Sequence, residues 1–272
     1  MIVITTQTDL NITQQSSFEK VVIAPQDNFF NKAFELIRSG KNYVAFVDNS
    51  FQDNFNRLLF FNEQLSPSNG SVVFILVNER VKEFNIQAKH SFDTLNLSNV
   101  AGILPGKSRP DEYVIFSAHY DHLGIGQPVN GDSVYDGAND DAAGTTAVII
   151  PAKYFKTGNN NERTLIFTAF TAEEEGGFGS QYFSKQLDPL KVKAMFNIEM
   201  IGTQSKWGNN SAYITGYEKS DMRKILQKNL ESSSFKFYPD PYPEQTLFCR
   251  SDTVTLASLG VPAHTISTSK NG

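Results

Sequence analysis

The segments SAHYDH at residues 117–122, GANDDAAG at residues 137–144 and TAEEEGGFGS at residues 171–180 concentrate acidic and histidine side chains in the middle of this chain. The first and third segments each follow an apolar run. Acidic side chains brought together in a fold repel one another unless a cation lies between them. Carboxylate oxygens combined with an imidazole are suitable ligands for a divalent metal, zinc above all. The segments therefore predict a metal-dependent hydrolase.

The composition restricts the class of protein. A chain of 272 residues with 40% hydrophobic residues is long enough for one large α/β domain or for a domain with a substantial insertion. The formal net charge of -5 argues against a nucleic-acid partner. Cys249 is the only cysteine, so an internal disulfide is excluded. No apolar run approaches the length of a membrane span, and residues 1–6 lack the features of a signal peptide.

Strand-like and helix-like patterns alternate over the second half of the chain. Strands are predicted at residues 112–118, 163–170, 192–199 and 261–267. Helices are predicted at residues 142–155, 220–232 and 251–259. This alternation predicts an α/β fold with a mostly parallel central sheet and helices on both faces. Residues 1–25 are expected to form an extended lead, the first 80 residues a small strand–helix–strand layer, and residues 86–92 a further strand.

His119 and Asp121 are the first candidates for a metal site. His119 follows the apolar run Val114–Phe116, and ligands of open α/β sheets gather beyond the carboxyl ends of the strands. Asp121 lies two residues further on, where its carboxylate can bind the second ring nitrogen and orient a metal-bound histidine. Taken alone, a surface His–Asp pair would be the simpler interpretation.

Four acidic residues complete the set of candidates. Asp140 precedes a predicted helix. The ordinary interpretation is an acid that caps the helix, and the alternative is a carboxylate that bridges two cations. Glu173 and Glu174 belong to a run of three acids, which in most proteins is simply solvated. The glycines that follow favour a tight turn in which one carboxylate binds metal and its neighbour acts as a general base. Glu199 ends a third predicted strand, as expected of a ligand.

Together these segments resemble the co-catalytic zinc aminopeptidases, whose fold is shared by bacterial leucyl aminopeptidases, glutamate carboxypeptidase and glutaminyl cyclases. The resemblance runs from about residue 99 to residue 267 and includes NIEMIG at residues 197–202, RSD at 250–252 and GVPA at 260–263. It implies a catalytic domain at residues 99–272 and an accessory or lid-like α/β segment at residues 1–98. It also implies a cis peptide bond between Asp140 and Asp141.

The resemblance implies a role for each candidate residue. Asp140 would bridge two Zn²⁺ ions, His119 and Glu199 would complete one site, and Glu174 would bind the other. Glu173 would be the general base, and Asp121 would orient His119.

Two positions depart from the family pattern. Glu199 stands where Asp is more common, and the histidine that the second zinc usually takes from an Asp-Tyr-His run after residues 261–267 is absent before Gly272. We therefore expect a catalytic domain truncated at its C-terminus, with one incomplete metal site. His264 lies inside the last predicted strand and is expected to be structural.

The resemblance implies an exopeptidase, specifically an aminopeptidase that acts on short peptides, exported from a bacterium. The sequence leaves side-chain specificity and oligomeric state open. One alternative keeps the fold but predicts a single-zinc glutaminyl cyclase. The other is a non-catalytic binding domain on a degenerate peptidase fold, as in transferrin-receptor-like proteins.

Overall fold

A computed structural model of the chain describes residues 2–5, 18–58, 70–77 and 95–269. The chain divides into two compact units, Met1–Thr94 and Leu95–Gly272. The assignment of residues 1–98 as an accessory segment and of residues 99–272 as a catalytic domain stays a prediction. The strand predicted at residues 86–92 lies outside the described residues.

The first unit contains a four-stranded parallel sheet with two helices. Its elements are β1 (Ile2–Thr5), β2 (Glu19–Ile23), α1 (Phe29–Arg38), β3 (Tyr43–Asp48), α2 (Gln52–Leu58) and β4 (Val72–Val77). The strands are ordered β1-β4-β3-β2, and β3 pairs in parallel with both of its neighbours. The prediction of an extended lead at residues 1–25 therefore missed two sheet strands. Their partners are distant in sequence, and a single strand's pattern does not reveal them.

The second unit is larger and contains a seven-stranded sheet. Its elements are β5 (Val100–Leu104), β6 (Arg109–His119), β7 (Gly124–Val129), β8 (Asp132–Tyr135), α3 (Ala143–Gly158), β9 (Arg163–Phe170), α4 (Phe178–Lys185), β10 (Val192–Ile198), β11 (Ser211–Ile214), α5 (Met222–Asn229), β12 (Lys236–Pro239), α6 (Val254–Ser258) and β13 (Ala263–Ser267). The sheet order is β12-β11-β13-β10-β6-β9-β5, while β7 and β8 form a separate hairpin.

The centre of this sheet is parallel. Strand β6 pairs in parallel with β9 on one side and β10 on the other, and β10 pairs in parallel with β13. Only β5, at one edge, and β11, against β13, run antiparallel to a neighbour. The predicted fold class, an α/β protein with a mostly parallel central sheet, is confirmed.

Alternate side chains of β6 build a core on each face of the sheet. Ile115 packs with residues of α4 and α6, whereas Ala118 packs on the opposite face with Val148 of α3. On that second face, Phe116 stacks on Phe167 with ring centroids 5.4 Å apart. A completely buried side chain such as that of Ile115 contributes roughly 1.5–3 kcal/mol. Helices therefore cover both faces, as the alternating pattern predicts.

This topology brings the candidate site together. The register places His119 at the end of β6 opposite Phe170 at the end of β9, and Ser117 of β6 opposite Asn197 of β10. The loops that leave these three parallel strands therefore emerge at one edge of the sheet, the usual position of a ligand site in open α/β folds. Among the described helices, none combines the length and apolar character needed to cross a bilayer.

Replacing Ile115 with Ala tests the core beneath the site. Ile115 is completely buried, so removing its side chain leaves a cavity and should lower the free energy of unfolding by about 2–5 kcal/mol. Urea denaturation followed by circular dichroism measures the change. Ile125→Ala, at a position that is 81% exposed, is the matched control and should shift stability by less than about 0.5 kcal/mol. Equal effects of the two substitutions would contradict this packing.

Candidate metal centre

His119 is held rigidly at the end of β6. Its side chain is completely buried, and its backbone carbonyl accepts a hydrogen bond from the Thr145 hydroxyl at 2.7 Å. Its Nδ1 lies 3.0 Å from the backbone carbonyl oxygen of Asp121. A proton on Nδ1, donated to that carbonyl, leaves the lone pair of Nε2 free for a metal.

The other ring nitrogen of His119 faces a carboxylate. Nε2 lies 2.9 Å from Oδ1 of Asp140. Among the described residues, however, Nε2 has no partner that meets the geometry of a hydrogen bond. A buried nitrogen beside a carboxylate oxygen, without a proper hydrogen bond between them, is the arrangement expected where both atoms bind one cation.

Asp121 connects His119 to the acidic run at the end of β9. Its carboxylate oxygens accept the backbone N–H groups of Glu173 at 3.1 Å and of Glu174 at 3.3 Å. The nearer carboxylate oxygen is 3.7 Å from Nδ1 of His119, farther than the backbone carbonyl of the same residue. Asp121 therefore contacts the histidine mainly through its backbone, while its carboxylate fixes the turn that carries the glutamates.

The Asp140 loop is anchored by its neighbours. The Asp140–Asp141 peptide bond is cis. Asp141 is buried, and its Oδ1 accepts the backbone N–H groups of Gly144 at 3.0 Å and Met200 at 3.1 Å. The second contact ties the loop to the end of β10, beside Glu199. Asp141 thus holds the backbone, and the adjacent Asp140 is left to present its carboxylate to the centre.

A tight turn presents Glu173 and Glu174. Ala172, Gly176 and Gly177 all have positive φ angles, and the Glu173 carbonyl accepts hydrogen bonds from the backbone N–H groups of both glycines. Residues with a side chain rarely adopt the φ of 111° found at Gly176. The glycines therefore allow the chain to reverse directly after β9 and to leave both carboxylates at the edge of the sheet.

The candidate ligand atoms fall into two groups. One group consists of His119, Asp140 and Glu199, and the other consists of His122, Asp140 and Glu174. Within each group the ligand atoms lie within 4.8 Å of one another. Asp140 belongs to both groups. The structure thus brings together every metal ligand that the sequence predicts. It adds His122, to which the sequence assigns no ligand role and for which we expected a contact at the rim of the metal site.

The electrostatics of the cluster favour a cation. Burial, and then the neighbouring Asp252, raises the pKa of Glu173 to about 8. Burial likewise raises the pKa of Asp141 to about 7 and that of Glu199 well above its ordinary value. Burial opposes protonation of His119, but Asp121 and Asp140 raise its pKa to about 12. The site therefore attracts positive charge strongly, and a divalent cation with oxygen and imidazole ligands fits this donor set.

His264 does not join either group. It is buried in β13, with Nδ1 2.8 Å from the Thr215 carbonyl and Nε2 2.6 Å from the Ser220 hydroxyl. Both ring nitrogens are thus engaged in linking β13 to its surroundings, as expected of a structural histidine.

Comparison with known proteins identifies relatives of this site. The sequence model of peptidase family M28 matches residues 99–272. A probable zinc metalloprotease of Pyricularia oryzae is 31% identical over 113 residues, 41% of this chain and 22% of the relative. Aminopeptidase YwaD of Bacillus subtilis is 29% identical over 126 residues, 45% of this chain and 25% of the relative. The chain spans about a quarter of the length of these curated relatives.

Solved structures share the fold. The aminopeptidase from Aneurinibacillus sp. strain AM-1 matches with a TM-score of 0.53 and 19% identity, over 98% of this chain and 65% of that protein. The zinc aminopeptidase BSAP from Bacillus subtilis matches with a TM-score of 0.52 and 16% identity, over 96% of this chain and 67% of that protein. The family match and the aminopeptidase relative confirm the resemblance seen in the motifs, and these structures confirm the fold.

One expectation is wrong. We expected a protein exported from a bacterium, but the probable zinc metalloproteases to which this chain is similar come from fungi of the genera Pyricularia, Pyrenophora and Leptosphaeria. These relatives point to a eukaryotic protein. The motifs that carry the resemblance serve the metal site and contain no information about the cell that makes the protein.

Gly144→Ala tests the packing that positions Asp140 and Asp141. A Cβ at Gly144 would lie 2.0 Å from the Ile198 carbonyl oxygen and 2.4 Å from the Asp141 carboxylate oxygens, so the helix start must move. We expect a loss of at least about 3 kcal/mol, the upper end of the usual range for overpacking. Urea denaturation measures it.

Gly158→Ala, at the other end of α3, is the matched control. The nearest atom to a Cβ there is the far end of the Asn160 side chain at 3.3 Å, and alanine favours helix. Stability should change by less than about 1 kcal/mol. If Gly144→Ala were as well tolerated as this control, the described contact between α3 and the end of β10 would be incorrect.

Proposed function

The chain belongs to peptidase family M28, and from this membership and the geometry of the metal centre we propose that it is a zinc-dependent aminopeptidase acting on short peptides. The observation that carries the proposal is the pair of ligand groups that share Asp140, at the edge of the sheet where Glu173 also lies. The activity of the whole protein is part of the proposal, since the chain spans about a quarter of its curated relatives.

The described residues supply ligands for two Zn²⁺ ions. His119, Asp140 and Glu199 would hold one, through one imidazole nitrogen and two carboxylates. Asp140 would also help to hold the other ion, together with Glu174. Asp121 supports both positions, because its backbone carbonyl contacts His119 and its carboxylate fixes the glutamate turn.

Glu173 is the proposed general base. Burial and the charges of Asp252, Glu174 and Asp140 raise the pKa of this carboxylate, whereas the charge of His119 lowers it, so Glu173 shares the electrostatic environment of both ligand groups. Bound zinc would supply Lewis acidity, polarising the scissile carbonyl and making water more acidic. Glu173 would accept the proton of the attacking water and later deliver it to the leaving amine. Its backbone N–H bond to Asp121 keeps the carboxylate in position between the two events.

The charge of the site supports an amino-terminal substrate. Besides the three proposed acidic ligands, the side chains of Asp121, Asp141, Glu173 and Asp252 all interact electrostatically with His119. This acidic surrounding would attract the free ammonium group at the start of a peptide more than a terminal carboxylate. A small pocket next to Glu199, lined by Tyr213, Thr215, Leu247 and Arg250 among others, is the proposed place for the first side chain.

Two ligand groups favour this proposal over a single-zinc glutaminyl cyclase. Such an enzyme needs one metal site, whereas Asp140 belongs to two groups of candidate ligands. Assays on a leucyl peptide and on a peptide with N-terminal glutamine separate the two activities. Release of leucine supports the aminopeptidase, whereas cyclisation of the glutamine without peptide-bond hydrolysis would refute it.

Glu173→Gln tests the proposed base. The amide cannot accept the proton, so hydrolysis of a leucyl peptide should fall by about 10²–10⁴-fold. Zinc content, measured by mass spectrometry of the metal, should stay unchanged, because Glu173 is not a proposed ligand.

The matched control is Glu175→Gln, the same chemical change two residues away at an exposed position. It should retain both hydrolysis and zinc. Full activity of Glu173→Gln would remove Glu173 from the mechanism. A loss of zinc in that variant would instead make Glu173 a ligand.

A further inference from the structure

His122 lies against the acidic centre, three residues after His119 and beyond the end of β6. Its Nδ1 is 2.7 Å from Oε1 of Glu174, and the two side chains are 21% and 20% exposed. The contact joins the loop after β6 to the turn after β9. Both side chains are partly accessible to solvent.

The chain is built to bring the His122 ring close to the Asp140 loop. A Cβ at Gly137 would lie 2.9 Å from Cβ and Cγ of His122 and 3.0 Å from the Asp140 carbonyl oxygen. Only a residue without a side chain allows this approach, and Gly137 also has a φ of 66°. On another side, the Tyr135 ring of β8 lies with its centroid 6.5 Å from that of His122. The imidazole therefore has a defined position beside Asp140.

We propose that His122 is a protein ligand of the second zinc, binding through Nδ1 together with Asp140 and Glu174. This rests on the proposed function, because it assumes that the second position holds zinc. Catalytic zinc sites commonly use three protein ligands and keep one position open. His119, Asp140 and Glu199 supply three for the first ion. For the second ion, Asp140 and Glu174 supply two ligands, and among the described residues His122 supplies the third.

The competing role is a hydrogen bond that merely orients Glu174. In that case Nδ1 would carry a proton and donate it to Oε1, and the ring would not touch the metal. An asparagine at position 122 separates the two roles. Its amide can still donate a hydrogen bond to Glu174, but it is a poor ligand for zinc compared with imidazole.

The test counts zinc on the 272-residue chain. The wild-type protein and three variants are stripped with a chelator, titrated with Zn²⁺ by calorimetry, dialysed and analysed for metal content. We expect two zinc ions in the wild type and one in His122→Asn, with unchanged far-ultraviolet circular dichroism. His122→Asp, which replaces the imidazole with another ligand type, should retain the second ion. Tyr135→Phe, which keeps the neighbouring ring, is the control and should also bind two.

The outcomes separate this inference from the proposed function. Two zinc ions in both the wild type and His122→Asn would overturn the assignment of His122 and leave the two-zinc peptidase standing. Fewer than two in the wild type would overturn the binuclear centre and the role of His122 with it. A loss confined to His122→Asn, with Tyr135→Phe unaffected, supports the assignment.

Discussion

Repulsion among carboxylates at one edge of a parallel sheet is the constraint on which the rest of the site depends. Asp140, Glu173, Glu174 and Glu199 leave the ends of neighbouring strands or the loops that follow them, and burial raises the pKa of Glu173 and Glu199. Such a cluster is costly unless positive charge is placed within it. The buried imidazole of His119 supplies one partner, and two divalent cations bridged by Asp140 would supply the remainder.

Acidic residues divide between two tasks. Asp121 and Asp141 accept backbone N–H groups and so hold the glutamate turn and the Asp140 loop against the end of the sheet. Asp140, next to Asp141 in the chain, and Glu174, whose backbone N–H group binds Asp121, are the candidate metal ligands. The close approach of Gly144 to Ile198 also fixes the Asp140 loop, because it brings the start of α3 against β10. A rigid backbone is what a metal site with few ligands requires.

The central sheet and the location of the site could be predicted from the sequence, because apolar strands followed by acids indicate the carboxyl edge of a parallel sheet. The β7–β8 hairpin was missed, although Asn130 and Gly131 both have positive φ angles and Asn-Gly is a strong hairpin signal. The contact between His122 and Glu174 could not be predicted for a different reason. This contact depends on the path of the loop at Gly137, which no local pattern encodes. The same holds for the backbone contact of Asp121 with His119.

Asp140 is proposed to bridge two zinc ions, one beside His119 and Glu199 and the other beside Glu174. The most direct measurement is a crystal structure of the zinc-loaded chain with anomalous diffraction data collected on both sides of the zinc absorption edge. We expect two anomalous peaks about 3.5–4 Å apart, both in contact with the Asp140 carboxylate. A single peak, or peaks away from Asp140, would contradict it.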